Sequence, residues 1–180
     1  MAPHILLLPG IGNSGPEHWQ RLWAGNDPRM SVLDGQDWDQ PTCSDWVANL
    51  DDAVRRSGPD TVLVAHSLGC LQLVHWAQHT NTPVRAAMLV AVPDPRGPAF
   101  PSQAQGFDGA ALQPLRLPSV LVASSDDPYS SLDYSRQCAE VWGSRFVEVG
   151  PCGHINAGSG LEEWPQGRAL LQGLIEATSG

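Results

Sequence analysis

Basic side chains are scarce in this chain. Ten Lys and Arg stand against nineteen Asp and Glu in 180 residues, a formal charge of −9. No basic run or patch interrupts that deficit, so the electrostatic footprint of a nucleic-acid partner is missing and anionic membranes are disfavoured. Long apolar runs are also missing. No stretch approaches the roughly 20 residues of a membrane span. Residues 3–11 are apolar but lack a basic start and a cleavage site, so no signal peptide is expected. Cysteines are few and widely spaced: Cys43, Cys70, Cys138 and Cys152, with no C-x-x-C pair. They read as reduced thiols of a cytoplasmic protein. Only Cys152 and His154 lie close together, too few for a zinc site, and no metal is expected. Tyrosine and phenylalanine are rare at two and three, whereas tryptophan reaches seven. No repeat or low-complexity tract is visible.

What remains is an ordinary globular composition, 42% apolar. A chain of this length fits one domain over residues 1–180 and can bury roughly 70% of its unfolded surface without disulfides. Short apolar runs alternate with helical stretches. Strands are expected at 4–8, 30–34, 61–65, 86–92, 119–124 and 145–149. Helices are expected at 16–25, from Ser44 or Asp45 to Ser57, at 68–79, at 133–142, and at 161–177 with a break near Pro165-Gln166-Gly167. Residues 93–118 are rich in Pro, Gly, Ser and Gln and read as a long excursion over the sheet edge, anchored by Phe100 and Phe107. This order implies an α/β fold: a three-layer α/β/α sandwich with a mostly parallel sheet of about six strands. Right-handed crossovers then collect Gly10-Ile11-Gly12, Ser67, Asp94, Asp127 and His154 at one sheet edge.

The segment Thr61-Val62-Leu63-Val64-Ala65-His66-Ser67-Leu68-Gly69 runs from a β-branched strand through a sharp turn into a helix. A serine at such a turn is pushed out above the sheet edge, the nucleophile-elbow pattern. Ala65 stands where glycine is usual, the smallest departure available. Asp127 follows the apolar run Val120–Ala123, and His154 lies among glycines after the last strand. Serine, acid, histidine is the order expected of an α/β-hydrolase triad. A serine hydroxyl needs a base, here His154. The imidazolium formed needs a fixed tautomer and a negative neighbour, here Asp127. Asp126 competes from one residue away; Asp127 is preferred because it precedes a proline. Of the other histidines, His66 is expected to point away from the elbow, His75 and His79 to lie on the helix, and His4 at a strand start.

A developing oxyanion needs two backbone N–H donors. Leu68 is one candidate. The other belongs to the loop after the first strand, Ile11 first and Gly12 second. His18 is expected to line the pocket. So is Trp38, which follows the second strand, while the other six tryptophans read as core. A dinucleotide reading of Gly10, Gly12 and Gly15 with Asp34 leaves Ser67, Asp127 and His154 unexplained.

Taken in order, Pro9-Gly10, Gly15-Pro16-Glu17-His18-Trp19-Gln20, Gln36-Asp37-Trp38-Asp39-Gln40-Pro41, Ala65–Gly69, Ser124–Tyr129, Trp142-Gly143-Ser144, Gly153–Gly160 and Trp164–Gly167 resemble the RBBP9/YdeN family of small serine hydrolases, within the α/β-hydrolase superfamily. The resemblance covers nearly the whole chain. It implies a compact α/β-hydrolase fold without a large cap domain, and a triad of Ser67, Asp127 and His154. The expected reaction is acyl transfer to water from a small carboxylic ester, needing no cofactor. An amidase or thioesterase with the same triad is an alternative. Another is a protein-interaction module with little turnover, for which Arg136-Gln137-Cys138-Ala139-Glu140 offers the Cys-x-Glu half of a Leu-x-Cys-x-Glu motif.

Overall fold

Thr61–His66 is buried from end to end and forms β3, an inner strand of the sheet. A strand covered on both faces has no need of polar alternation, which is why this run reads as continuously apolar. The computed structural model describes residues 2–109 and 113–179. Around β3 lie β1 (His4–Leu8), β2 (Met30–Val32), β4 (Ala86–Val90), β5 (Ser119–Ala123) and β6 (Arg145–Glu148). The spatial order is β2-β1-β3-β4-β5-β6, and every neighbouring pair is parallel. The six strands expected from the sequence are all present.

Side chains alternate between two cores, as the pleat requires. Leu6, Leu8, Leu63, Ala65, Leu89 and Leu121 face one core, completed by helices α2 (Cys43–Ser57), α3 (Leu68–His79) and α4 (Leu132–Trp142). Ile5, Leu7, Val62, Val64, Met88 and Val120 face the other, completed by α1 (Trp19–Asn26) and α5 (Pro165–Ala177). Chain direction explains the division. From β1 to β2 the chain steps toward one edge; from β2 to β3 it crosses back beyond β1 and keeps going. A right-handed crossover covers opposite faces for opposite steps, so α1 lies on one face and α2, α3 and α4 on the other. The reversal leaves a crevice at the ends of β1 and β3, the usual ligand position in such sheets.

Several boundaries differ from expectation for local reasons. Helix α1 starts at Trp19, not near Pro16, because the ring of His18 caps it: Nδ1 accepts the Gln20 N–H at 3.2 Å. Helix α2 starts at Cys43, after Thr42. Ser131 caps α4, accepting the Tyr134 N–H at 3.1 Å, and Gly143 ends it in the left-handed conformation. The last helix begins at Pro165, where the expected break was placed. Proline suits a first helical position, whose N–H has no intrahelical partner. A single 3-10 turn at Ala157–Ser159 precedes it. Strand β4 stops at Val90 because Ala91, at φ 55°, turns out of the sheet.

No regular helix or strand joins β4 to β5 among the described residues of 91–118; positions 110–112 of the expected excursion lie outside them. Phe107 is fully buried, edge-on to Trp46 and His75, and its carbonyl accepts from His75 Nε2 at 3.2 Å. Gln105 makes backbone bonds to Pro41 and Cys43. Phe100, the other expected anchor, is half-buried against the first core.

Candidate active site

Ser67 occupies the single residue between β3 and α3, with φ 55° and ψ −126°. L-residues rarely adopt this conformation, and holding one there costs of order 1–3 kcal/mol. Close neighbours enforce it. A Cβ on Gly10 would lie 2.9 Å from Ser67 Cβ. A Cβ on Gly69 would lie 2.5 Å from the Leu8 carbonyl oxygen and 2.8 Å from that of Pro9. Only glycine at these two positions lets the first loop, the serine and the start of α3 meet. The Ser67 N–H donates to Val90 O at 3.0 Å, tying the turn to β4.

From this turn the hydroxyl of Ser67 lies 2.8 Å from His154 Nε2. The other ring nitrogen, Nδ1, lies 2.9 and 3.0 Å from the two carboxylate oxygens of Asp127. A nitrogen facing a carboxylate carries the proton, so Nε2 is left as acceptor for the serine. The side chains of Asp127 and His154 are 3% and 9% exposed. The low-dielectric surroundings strengthen this line of bonds.

Asp126, the competing acid, does something different. Its Oδ1 accepts from Ser124 Oγ at 2.8 Å and from the Gly153 N–H at 2.7 Å, and these bonds hold its carboxyl below the usual range. Ser124 Oγ also accepts the Cys152 N–H at 2.9 Å. The pair therefore clamps the backbone that carries His154. His66 braces the same loop from below. It does not simply point away, as expected from the sequence: its Nε2–H donates to the His154 carbonyl at 2.9 Å. Its burial, and then the neighbouring His18 and His154, push its pKa well below 6.5 and keep it neutral.

A cavity of about 350 Å³ opens beside Ser67. Gly10, Ile11 and Leu68 form its floor side, His18 and Tyr129 part of its wall, and Ala99–Pro101 a contribution from the excursion. The excursion thus covers part of the pocket. Two backbone amides are free for a developing oxyanion: neither Ile11 N–H nor Leu68 N–H has a hydrogen-bond partner among the described residues. Gly12 N–H, the second choice from sequence, is occupied by Trp38 O at 2.8 Å.

Comparison with known proteins identifies a family. The family model described as serine hydrolase matches residues 5–173. The chain belongs to that family. YdeN of Bacillus subtilis is 24% identical over 176 residues, with 92% of each chain covered. The crystal structure of a YdeN-like protein from Pectobacterium atrosepticum superposes with a TM-score of 0.85 at 30% identity, covering 97% of this chain and 91% of the other. The Bacillus subtilis YdeN structure gives 0.80 at 22%, covering 96% and 98%.

One expected pocket residue of this serine hydrolase is placed elsewhere. Trp38 does not line the cavity. Its ring sits edge-on to Trp46 at 5.5 Å, and it serves the site only through the carbonyl that fixes Gly12. The other six tryptophans are core, as expected. Sequence reasoning missed Tyr129, whose ring centroid lies 4.4 Å from that of His154, and the bracing by Asp126 and His66. Tyr129 had a signal, standing two residues after Asp127. The braces had none, because they depend on contacts across 27 and 88 residues. Among the described residues, no group of three or more His, Cys, Asp or Glu could hold a metal, and no helix is long and apolar enough to cross a membrane.

Proposed function

We propose that this serine hydrolase cleaves small carboxylic esters through an acyl-enzyme on Ser67, within one α/β-hydrolase domain over residues 1–180. The observation that carries the reading is the bonded line from Ser67 Oγ through His154 to Asp127. Ser67 Oγ attacks the ester carbonyl carbon while His154 Nε2 takes the hydroxyl proton. Asp127 holds the resulting imidazolium through Nδ1–H. The carbonyl oxygen becomes an oxyanion and accepts from the Ile11 and Leu68 amides, the latter at the positive end of α3. The bond to the alkoxy oxygen then breaks, and that oxygen takes the proton from Nε2. Water repeats the sequence on the acyl-enzyme, releasing the acid and restoring Ser67. Neither metal nor organic cofactor enters a step. A cavity at the small end of the usual ligand-site range favours short acyl groups. Four unpaired cysteines support the expectation of a reducing, cytoplasmic setting. The interaction-module alternative finds little support, since Cys138 of its half-motif is 1% exposed.

The test is labelling with a fluorophosphonate, read by intact mass. One adduct is expected on the parent protein, none on Ser67→Ala, and much slower labelling of His154→Ala. A folded parent protein that takes no adduct would overturn the reading. An ester, amide and thioester panel then ranks the substrate classes.

A further inference from the structure

Helix α1 buries Trp19, Trp23 and, between them, a polar residue. Gln20 is fully buried. Its partners settle which way its amide faces. The carbonyls of Leu8 and Val64 can only accept, and Nε2 donates to them at 3.1 and 3.2 Å. Oε1 is left to accept the Ser14 hydroxyl, at 2.6 Å. Both donors of the amide and its acceptor are thus engaged inside the protein. An apolar side chain of similar size could pack between the tryptophans, but it would leave these three buried groups unpaired.

The three partners enclose one functional segment. Leu8 is the last residue of β1, and Ser14 lies six residues further on. The loop between them carries Ile11, whose N–H is free for the oxyanion. Val64 belongs to β3, three residues before Ser67. One side chain therefore ties the entry and the exit of this loop to the strand that bears the nucleophile. Between the ties the loop is short and shaped: Asn13 N–H closes a turn on Gly10 O at 3.1 Å, and Gly12 takes φ 74°. Arg21 also grips the exit, through Ser14 O at 3.0 Å and Asn13 Oδ1 at 2.9 Å, but these bonds end on the loop itself. Those of Gln20 reach the sheet. Ser14 is 7% exposed, so its bond to Gln20 is shielded from competing water.

Building on the acyl-enzyme reading, we infer that Gln20 is a positioning residue for the oxyanion hole, fixing the Ile11 N–H relative to the carbonyl that Ser67 attacks. Gln20 does not line the cavity and touches no substrate. It acts through the loop. Donors aimed at developing charge contribute most when their place is set before the reaction. A misplacement of about 1 Å is enough to cost about 100-fold in rate.

The test compares p-nitrophenyl acetate with its thionoester, in which sulfur replaces the carbonyl oxygen. Thiocarbonyl sulfur is a poor hydrogen-bond acceptor on a longer bond, so it gains little from the amide donors. The readout is the ester-to-thionoester ratio of kcat/KM, divided by the same ratio for hydroxide to remove intrinsic reactivity. A variant that merely folds less well loses both rates together and leaves this ratio unmoved. The parent is expected to favour the ester by about 100-fold or more beyond hydroxide, the worth of an oxyanion donor. Gln20→Leu should cut the ratio about tenfold or more, chiefly through kcat on the ester. Ser14→Ala, which severs only the tie at the loop exit, should cut it about threefold. A folded Gln20→Leu protein with the parent ratio overturns the inference. If Gln20→Leu does not fold, an unchanged ratio in Ser14→Ala overturns it instead. A parent ratio equal to that of hydroxide also does so, since no donor would then be acting. Fluorophosphonate labelling of the parent separates the two failures. A labelled parent whose variants keep its ratio leaves the hydrolase reading standing, whereas an unlabelled one removes both.

Discussion

Two adjacent aspartates divide the work of the site between them. Asp127 meets the imidazole with both oxygens, while Asp126 grips the backbone on which that imidazole is mounted. Asp127→Asn is expected to lower kcat by about 10³–10⁴-fold, because an amide can present N–H to Nδ1 and favour the wrong tautomer. Asp126→Ala removes no group from the bonded line and only loosens the loop. It is expected to cost about 10- to 100-fold in kcat/KM, in keeping with the price of a small misplacement. Steady-state kinetics of both variants on one p-nitrophenyl ester check this. Equal losses would mean the division is wrong. Ser67 and Asp127 were legible in the sequence because each follows a buried apolar strand, and His154 because it lies after the last strand, in the chain order expected of an α/β-hydrolase. The neighbouring acids both sit in one turn, and only the folded loop shows which faces the histidine. Trp38 went astray for a related reason: the sequence tells that a loop reaches the sheet edge, not which way its side chains turn.

At the scale of the element, α5 shows how a helix start can depend on a single missing atom. Trp164 caps it in the left-handed conformation, φ 44°, with its indole laid back over the first turn. A Cβ on Gly167 would fall inside that indole. The ring continues into a cluster with Trp19 and Trp23, at 5.1 and 6.1 Å between centroids. Gly167→Ala should therefore unseat Trp164 and lower stability by about 1–3 kcal/mol, the usual cost of overpacking. Chemical denaturation followed by tryptophan fluorescence will show it, with red-shifted native emission. An unchanged midpoint and spectrum would argue that the turn relaxes freely. The inner strands β1, β3, β4 and β5 and helix α3 were readable from the sequence because their apolar runs are long relative to their lengths. The start of α5 was misplaced by four residues because Leu161–Trp164 continues its apolar pattern, while the backbone reversal is imposed by the aromatic cluster.

Across the whole molecule, buried neutral histidines set the acid limit of stability. His18 is pushed down to about 4, by burial first and then by His154 and Arg21; His66 is lowered further still and His75 in the same direction, both chiefly by burial. Below the ordinary value of 6.5 the unfolded chain binds protons that these rings refuse in the fold. Their neutral packing is therefore favourable above that value, and stability falls as pH drops from 6.5 toward 4. Asp27 adds a separate loss only below its ordinary 3.8, since Arg29 lowers its folded value. Melting temperatures taken from about pH 8 to about pH 5 should decline through this window. A flat profile would mean that the rings are hydrated.

The excursion between β4 and β5 has a different kind of consequence. It leaves the sheet at Ala91 and re-enters at Ser119, is pinned by Phe107 and Gln105, and supplies part of the cavity wall but none of the bonded line. Inheritance can therefore treat it as an exchangeable part. Descendants of such a gene can vary this loop around its two anchors, acquiring new diets while leaving Ser67, His154 and Asp127 where they stand.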